Sequence, residues 1–194
     1  MVPQTKGPCG GHALTEALAF PNPTWQQVRS EIAQLHAELL ANPSATATLQ
    51  TWCDRQGLAP GVAISARKIA GEVGLGPLDR ALLTTDPAEQ IVHRRVELVL
   101  GARVLLWADN WYRPGRLTSA MNQQLLETQT PFGIVVHDLR YRRRTLSTDW
   151  SNATGPGVPE EIFHLRAVLE TLDGQPFSLV AETYTNQVLS SSAR

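Results

Sequence analysis

Two residues in this 194-residue sequence carry charge where the surrounding pattern calls for hydrocarbon. Arg94 shares strand parity with Val92, Val96, Leu98 and Leu100, so the apolar face of a strand also holds a guanidinium. A buried arginine is costly unless an anion or several acceptors pair with it, and its planar fork suits a bidentate carboxylate. Parity alone leaves a second reading open, in which Arg94 sits at the start of the strand and snorkels to water. Arg95 is the rival if the hairpin aligns one residue differently, although parity groups it with His93 and Glu97. Glu182 follows Leu179-Val180-Ala181 and precedes Tyr184, so a carboxylate interrupts a largely apolar strand. Its bland reading is an exposed strand position. Its chemical reading is a carboxyl in an apolar pocket, where desolvation raises the pKa toward proton transfer near neutrality.

Other combinations are weaker. Arg140, Arg142, Arg143 and Arg144 form a basic run, but alternation places them mainly on a solvated strand face, with no aromatic stacking platform. Gly71-Glu72-Val73-Gly74-Leu75-Gly76 lacks the strand and helix that a nucleotide loop needs. Cys9 and His12 have metal-like spacing, yet Cys53 is the one thiol left elsewhere, so no metal site is expected. Two cysteines do not make a disulfide framework, which fits a reducing compartment. The net charge of -1 argues against broad attraction to nucleic acid or to an anionic membrane. The first twenty residues lack the apolar stretch of a signal peptide, and the run Leu98–Ala102 stops at Arg103, far short of a membrane span. A soluble cytoplasmic protein is expected.

The elements that must position these residues follow from periodicity. Residues 1–21 are rich in Gly and Pro without a period and read as a loose tail, and residues 22–194 read as a single domain. Pro23 and Thr24 open a helix whose apolar residues Trp25, Val28, Ile32, Leu35 and Leu39 recur every three or four positions, until Asn42-Pro43 ends it. Ser44 caps a shorter helix through Leu49, Trp52 and Cys53, closed by Gly57. Pro60 to Gly76 resists assignment, and Leu78–Leu83 fits a short helical turn. From Ile91 the period becomes two. Val92–Leu100 and Val104–Tyr112 form a hairpin around Gly101, with Pro114 ending the second strand. Leu117, Met121, Leu125 and Leu126 mark a helix; Ile134–Leu139 and Tyr141–Thr148 read as strands. After a loop over 152–159, Phe163–Leu172 pairs with Phe177–Leu189 across Asp173-Gly174. The expected class is α+β, an antiparallel β-sheet with helices on one side.

The order Arg94-Arg95-Val96-Glu97-Leu98, Ala108-Asp109-Asn110-Trp111-Tyr112-Arg113-Pro114, Thr130-Pro131-Phe132-Gly133 and Ala181-Glu182-Thr183-Tyr184 resembles the chorismate lyase family over roughly residues 30–189. The resemblance implies a chorismate lyase-like fold and a cofactor-free elimination. Pyruvate would leave chorismate, giving 4-hydroxybenzoate for quinone biosynthesis. It implies Arg94 as the anchor of the substrate carboxylate and Glu182 as the group at the ring hydroxyl and ether, both catalytic. Phe132, in a turn that carries Leu in the family, and Ala45, after the Asn42-Pro43-Ser44 break, would line the ligand by their backbone. The same fold also serves as the ligand-sensing domain of transcription regulators. The alternative is therefore a non-catalytic domain that binds a small aromatic acid.

Overall fold

The structure, a computed structural model, describes residues 23–151 and 158–190. The tail expected over 1–21, Cys9 and most of the 152–159 loop lie outside the described residues.

Helix α1 (Pro23–Ala41) turns the three-and-four spacing into a buried stripe, with Val28, Leu35 and Leu39 shut from water and Ile32 packed beside them. It stops where Pro43 disfavours helical geometry in the residue before it. The Ser44 hydroxyl then accepts from the Ala47 N–H at 3.3 Å and starts α2 (Ala45–Arg55). Its buried Trp52 donates from Nε1 to the Val188 carbonyl at 2.8 Å, tying α2 to the end of the chain. Gly57, at φ +65°, supplies the left-handed residue that lets the chain leave this helix.

Six antiparallel strands follow: β1 (Ser65–Lys68), β2 (Val92–Leu100), β3 (Arg103–Tyr112), β4 (Arg142–Trp150), β5 (Glu161–Glu170) and β6 (Pro176–Thr185). Their spatial order is β1-β2-β3-β6-β5-β4. Both hairpins form at the expected places, and register puts Arg94 opposite Asn110 and Ala108 opposite Glu182. Because side chains alternate, one face collects Val96, Leu98, Leu106, Phe163, Leu165 and Tyr184 against α1 and α2. The same face continues with Tyr112, Ala167, Leu169 and Val180 against α4 (Ser119–Glu127) and α5 (Phe132–Val135). The reverse face takes the short α3 (Pro77–Leu83), whose Leu83 meets Trp111, Val168 and Leu179. The class is α+β, an antiparallel sheet with helices packed on one side and α3 as a small cover behind.

Three segments differ from expectation or resolve it. The unassigned stretch after Pro60 contributes the edge strand β1. Ile134–Leu139 is not a strand: α5 and a 3-10 turn at His137–Leu139 replace it. The Pro131 carbonyl accepts from the Ile134 and Val135 N–H groups, and this turn buries Val135 and Val136 in the core beneath α4. Packing thus overrides the strand preference of a β-branched run. The basic run also divides, because Arg143 lies opposite Leu169 on the inner face and is nearly fully buried.

The loop from Leu83 to Ile91 is clamped from within. Arg113 donates to both Glu89 carboxylate oxygens at 2.6 Å, to the Leu83 carbonyl at 3.0 Å and to the Pro176 carbonyl at 2.7 Å. One buried guanidinium therefore fixes the loop to the first residue of β6.

Candidate binding site

The inner face of the sheet and the starts of two helices surround a small cavity of about 30 Å³. Its floor is Val96 and Leu98 from β2, Ala108 and Asn110 from β3, and Val180 and Glu182 from β6. Its roof is Pro43, Ala45 and Thr46 at the start of α2, with Phe132 and Gly133 at the start of α5. These positions meet because inward residues of paired strands fall in rows, while each roof segment is a chain break at the beginning of a helix.

One end of the cavity is polar. Glu182 is buried and accepts from Arg143 Nη2 at 2.5 Å, from Arg143 Nη1 at 3.3 Å and from the Tyr184 hydroxyl at 2.9 Å. Arg143 reaches across β5 to make this contact, since β4 pairs with β5 and β5 with β6. Burial is the largest single influence and lowers the Arg143 pKa, but the charge and hydrogen bonding of Glu182, together with Tyr184 and Tyr141, outweigh it and the net shift is upward. Burial likewise drives the Tyr184 hydroxyl well above its ordinary value, with Glu182 adding to it. Tyr141, also raised by burial, shares the cavity with Arg143 and Glu182. A Cβ on Gly133 would come within 3.2 Å of Ser44 Oγ and 3.3 Å of Tyr141 Oη, so a side chain there would press on the roof.

Three of the four expected site residues, Ala45, Phe132 and Glu182, come together here. Arg94 does not line this cavity. It is buried on the same face, one inward step from Val96, and lines a neighbouring groove of about 440 Å³ beside the first residues of β2. Arg95 lies on the opposite face, as parity required, with Nε 3.6 Å from Asp109. Asn110 joins the two regions, its Nδ2 reaching the Arg94 carbonyl at 3.5 Å. The rings of Tyr112 and Phe132, 5.5 Å apart, belong to the groove and to the cavity respectively. Burial pushes the Arg94 guanidinium below its ordinary pKa.

Sequence reasoning missed Arg143, Asn110, Tyr141 and Thr46. The signal for Arg143 was present: it shares parity with Tyr141, whereas Arg142 and Arg144 fall on the other side. Among the described residues no group of three or more His, Cys, Asp or Glu gathers as metal ligands. Cys53 is buried, and desolvation raises its thiol to about 12. No helix of the described residues is long and apolar enough to cross a membrane.

No protein-family model matches the chain. In shape it is similar to the effector domain of PhnF from Mycobacterium smegmatis, with a TM-score of 0.52 at 13% identity over 74% of this chain and 89% of that one. It is also similar to the structure of PhnF from the same organism, with a TM-score of 0.53 at 11% identity over 76% of this chain and 65% of that one. These likenesses establish a chorismate lyase-like fold and nothing finer. They correct the identification with the chorismate lyases, and with it the lyase activity and the place in quinone biosynthesis. The neighbours that share the fold are effector domains of transcriptional regulators rather than enzymes. A fold by itself does not fix an activity, because one architecture hosts many functions. In sequence the chain is 41% identical over 174 residues to the uncharacterized protein y4mC of Sinorhizobium fredii, covering 80% of this chain and 73% of that protein. At that identity and coverage, the chain belongs to the family of the Sinorhizobium protein y4mC.

Proposed function

We propose that this chain, a single domain from residue 22 onward, binds a small aromatic acid in the Glu182 cavity without transforming it. The observation that carries the reading is the division of that cavity into an apolar slot and a polar end. Val96, Leu98, Leu169, Val180 and the Phe132 ring form apolar walls around about 30 Å³ of free space, so a flat hydrocarbon body enters as the roof at the starts of α2 and α5 draws back. Asn110, Tyr141, Arg143 and Glu182 stand at the polar end, and the first-turn N–H groups of Ala45 and Thr46 have no intrahelical partners. A ligand carboxylate finds donors in those N–H groups and in Arg143, and a ring hydroxyl finds an acceptor in Glu182. Both Glu182 oxygens already accept from Arg143 and Tyr184, which suits a fixed recognition group better than one that shuttles protons. The effector-domain neighbours support ligand binding as the role of this fold.

Titration of the full chain with 4-hydroxybenzoate by calorimetry tests the reading. Saturable binding is expected, weakened roughly tenfold or more in Phe132→Ala, with the compound recovered unchanged. If neither 4-hydroxybenzoate nor benzoate binds the wild-type chain at millimolar concentration, the reading fails.

A further inference from the structure

Between β1 and α3 the chain crosses the reverse face of the sheet, where Val73 and Leu75 pack with Trp111, Leu83 and Leu179. At one end the Ile69 N–H donates to the Arg95 carbonyl at 3.1 Å, and at the other Gly76 starts α3. Among the described residues, the backbone of 70–75 makes two hydrogen bonds, and both belong to Val73. Its N–H donates to His93 Nδ1 at 3.4 Å, and its carbonyl accepts from Trp111 Nε1 at 2.9 Å. His93 and Trp111 are partners in the β2–β3 register, and their rings stack with centroids 5.1 Å apart. Two neighbouring side chains thus hold both polar groups of one residue, and little else holds the segment.

The second imidazole nitrogen fixes the state of the first. His93 Nε2 lies 2.8 Å from Asp109 Oδ1, and a carboxylate accepts only, so Nε2 carries the proton and Nδ1 offers its lone pair to Val73. A further proton can enter at Nδ1 alone. The ring then turns an N–H toward the Val73 N–H, two donors face each other, and the hold on the segment is lost. The imidazolium itself stays in place, because its hydrogen bond to Asp109 has become charge-assisted. Of the other charged groups around it, Arg95 shares Asp109 at 3.6 Å, while Glu72 and Lys68 line the adjoining groove, Lys68 held toward the Leu126 carbonyl. Asp79 is paired with Arg166, Arg113 with Glu89, and Arg80 donates to the Asp86, Pro87 and Glu89 carbonyls. We propose that segment 69–76 is a pH-sensitive strap, closed on the sheet while His93 is neutral and released when His93 takes a proton at Nδ1. Ile69, Gly71 and Glu72 of this segment line the groove beside β2, so release opens one of its walls. The Glu182 cavity shares no lining residue with this groove, and its ligand takes no part in the switch.

Hydrogen exchange of the full chain between about pH 8 and pH 5, read by mass spectrometry with labelling times scaled for the intrinsic pH dependence of exchange, tests the strap. Protection of segment 69–76 is expected to fall roughly fivefold or more toward acid, the equivalent of one neutral hydrogen bond, while β3 and β6 keep theirs. In His93→Gln the protection is expected to be equal at both ends of the range, since an amide does not titrate there. In the wild-type chain, NMR of the ring nitrogens is expected to show His93 Nδ1 gaining its proton over the interval in which protection falls, a readout that needs no variant to fold. Unchanged wild-type protection across the range overturns the proposal. So does a fall that persists in His93→Gln, which belongs to Glu72 or another group, and so does a His93 titration at a different midpoint from the fall. A fall spread over the whole chain is general acid destabilisation and overturns it too.

Discussion

Removing the Glu182 carboxylate should damage stability more than removing the whole ion pair. The side chains of Arg143 and Glu182 are 5% and 9% exposed, so Glu182→Ala leaves a guanidinium with almost no water around it. A carboxyl in that position could escape by taking up a proton; a guanidinium cannot lose one. Breaking a buried pair from one side costs about 3–5 kcal/mol, while exchanging both partners for apolar residues of similar size is often neutral or favourable by about 1–4 kcal/mol. At about 2–4 °C per kcal/mol for a domain of this size, Glu182→Ala should melt roughly 6–20 °C below wild type. Arg143→Met/Glu182→Leu should melt at or above the wild-type temperature. Urea unfolding at pH 7, followed by tryptophan fluorescence, measures both variants and the two single substitutions as a double-mutant cycle. A loss under about 1 kcal/mol for Glu182→Ala, with an unchanged urea dependence, would refute the reasoning by showing that water or another acceptor reaches Arg143.

Glu89 and Gly133 give two further expected outcomes. Hydrogen bonds from Arg113 hold the Glu89 carboxyl below its ordinary pKa, so the unfolded chain takes up that proton first as the pH falls. The stabilisation from Glu89 should therefore be complete above the ordinary glutamate range and vanish as the pH drops through the lower folded value. The gap in melting temperature between wild type and Glu89→Gln, measured from pH 7 to pH 3, should close toward acid, and a constant gap would contradict the assignment. Gly133→Ala should displace the Ser44 and Tyr141 hydroxyls, cost about 1–3 kcal/mol and weaken 4-hydroxybenzoate binding; unaltered binding in calorimetry would remove Gly133 from the roof.

Much of the scaffold was legible in the chain because local forces decide it. Apolar spacing sets α1, the Ser44 cap sets α2, and glycines at positive φ set the turns at Gly101 and Gly174. Strand parity grouped Arg94 with the inward residues and Arg95 with the outward ones, since that alternation is a property of the backbone, but it left open whether Arg94 snorkels to water, and the structure buries it. Parity cannot say which inward residues become neighbours, because that depends on strand order. Strand β6 lies between β3 and β5, so Glu182 faces Arg143 from two strands away and Ala108 from the next strand. The same order leaves Arg94 in a separate groove beside β2, although the resemblance had placed it with Glu182. The α5 turn was invisible for a related reason: Ile134, Val135 and Val136 favour a strand locally, and only the core beneath α4 rewards coiling them. Sequence alone determined the alternation of side chains along β2 and β3 and the apolar stripe of α1. The tertiary structure decided which of them share a cavity, because long-range strand pairing brings together charges almost forty residues apart in the chain.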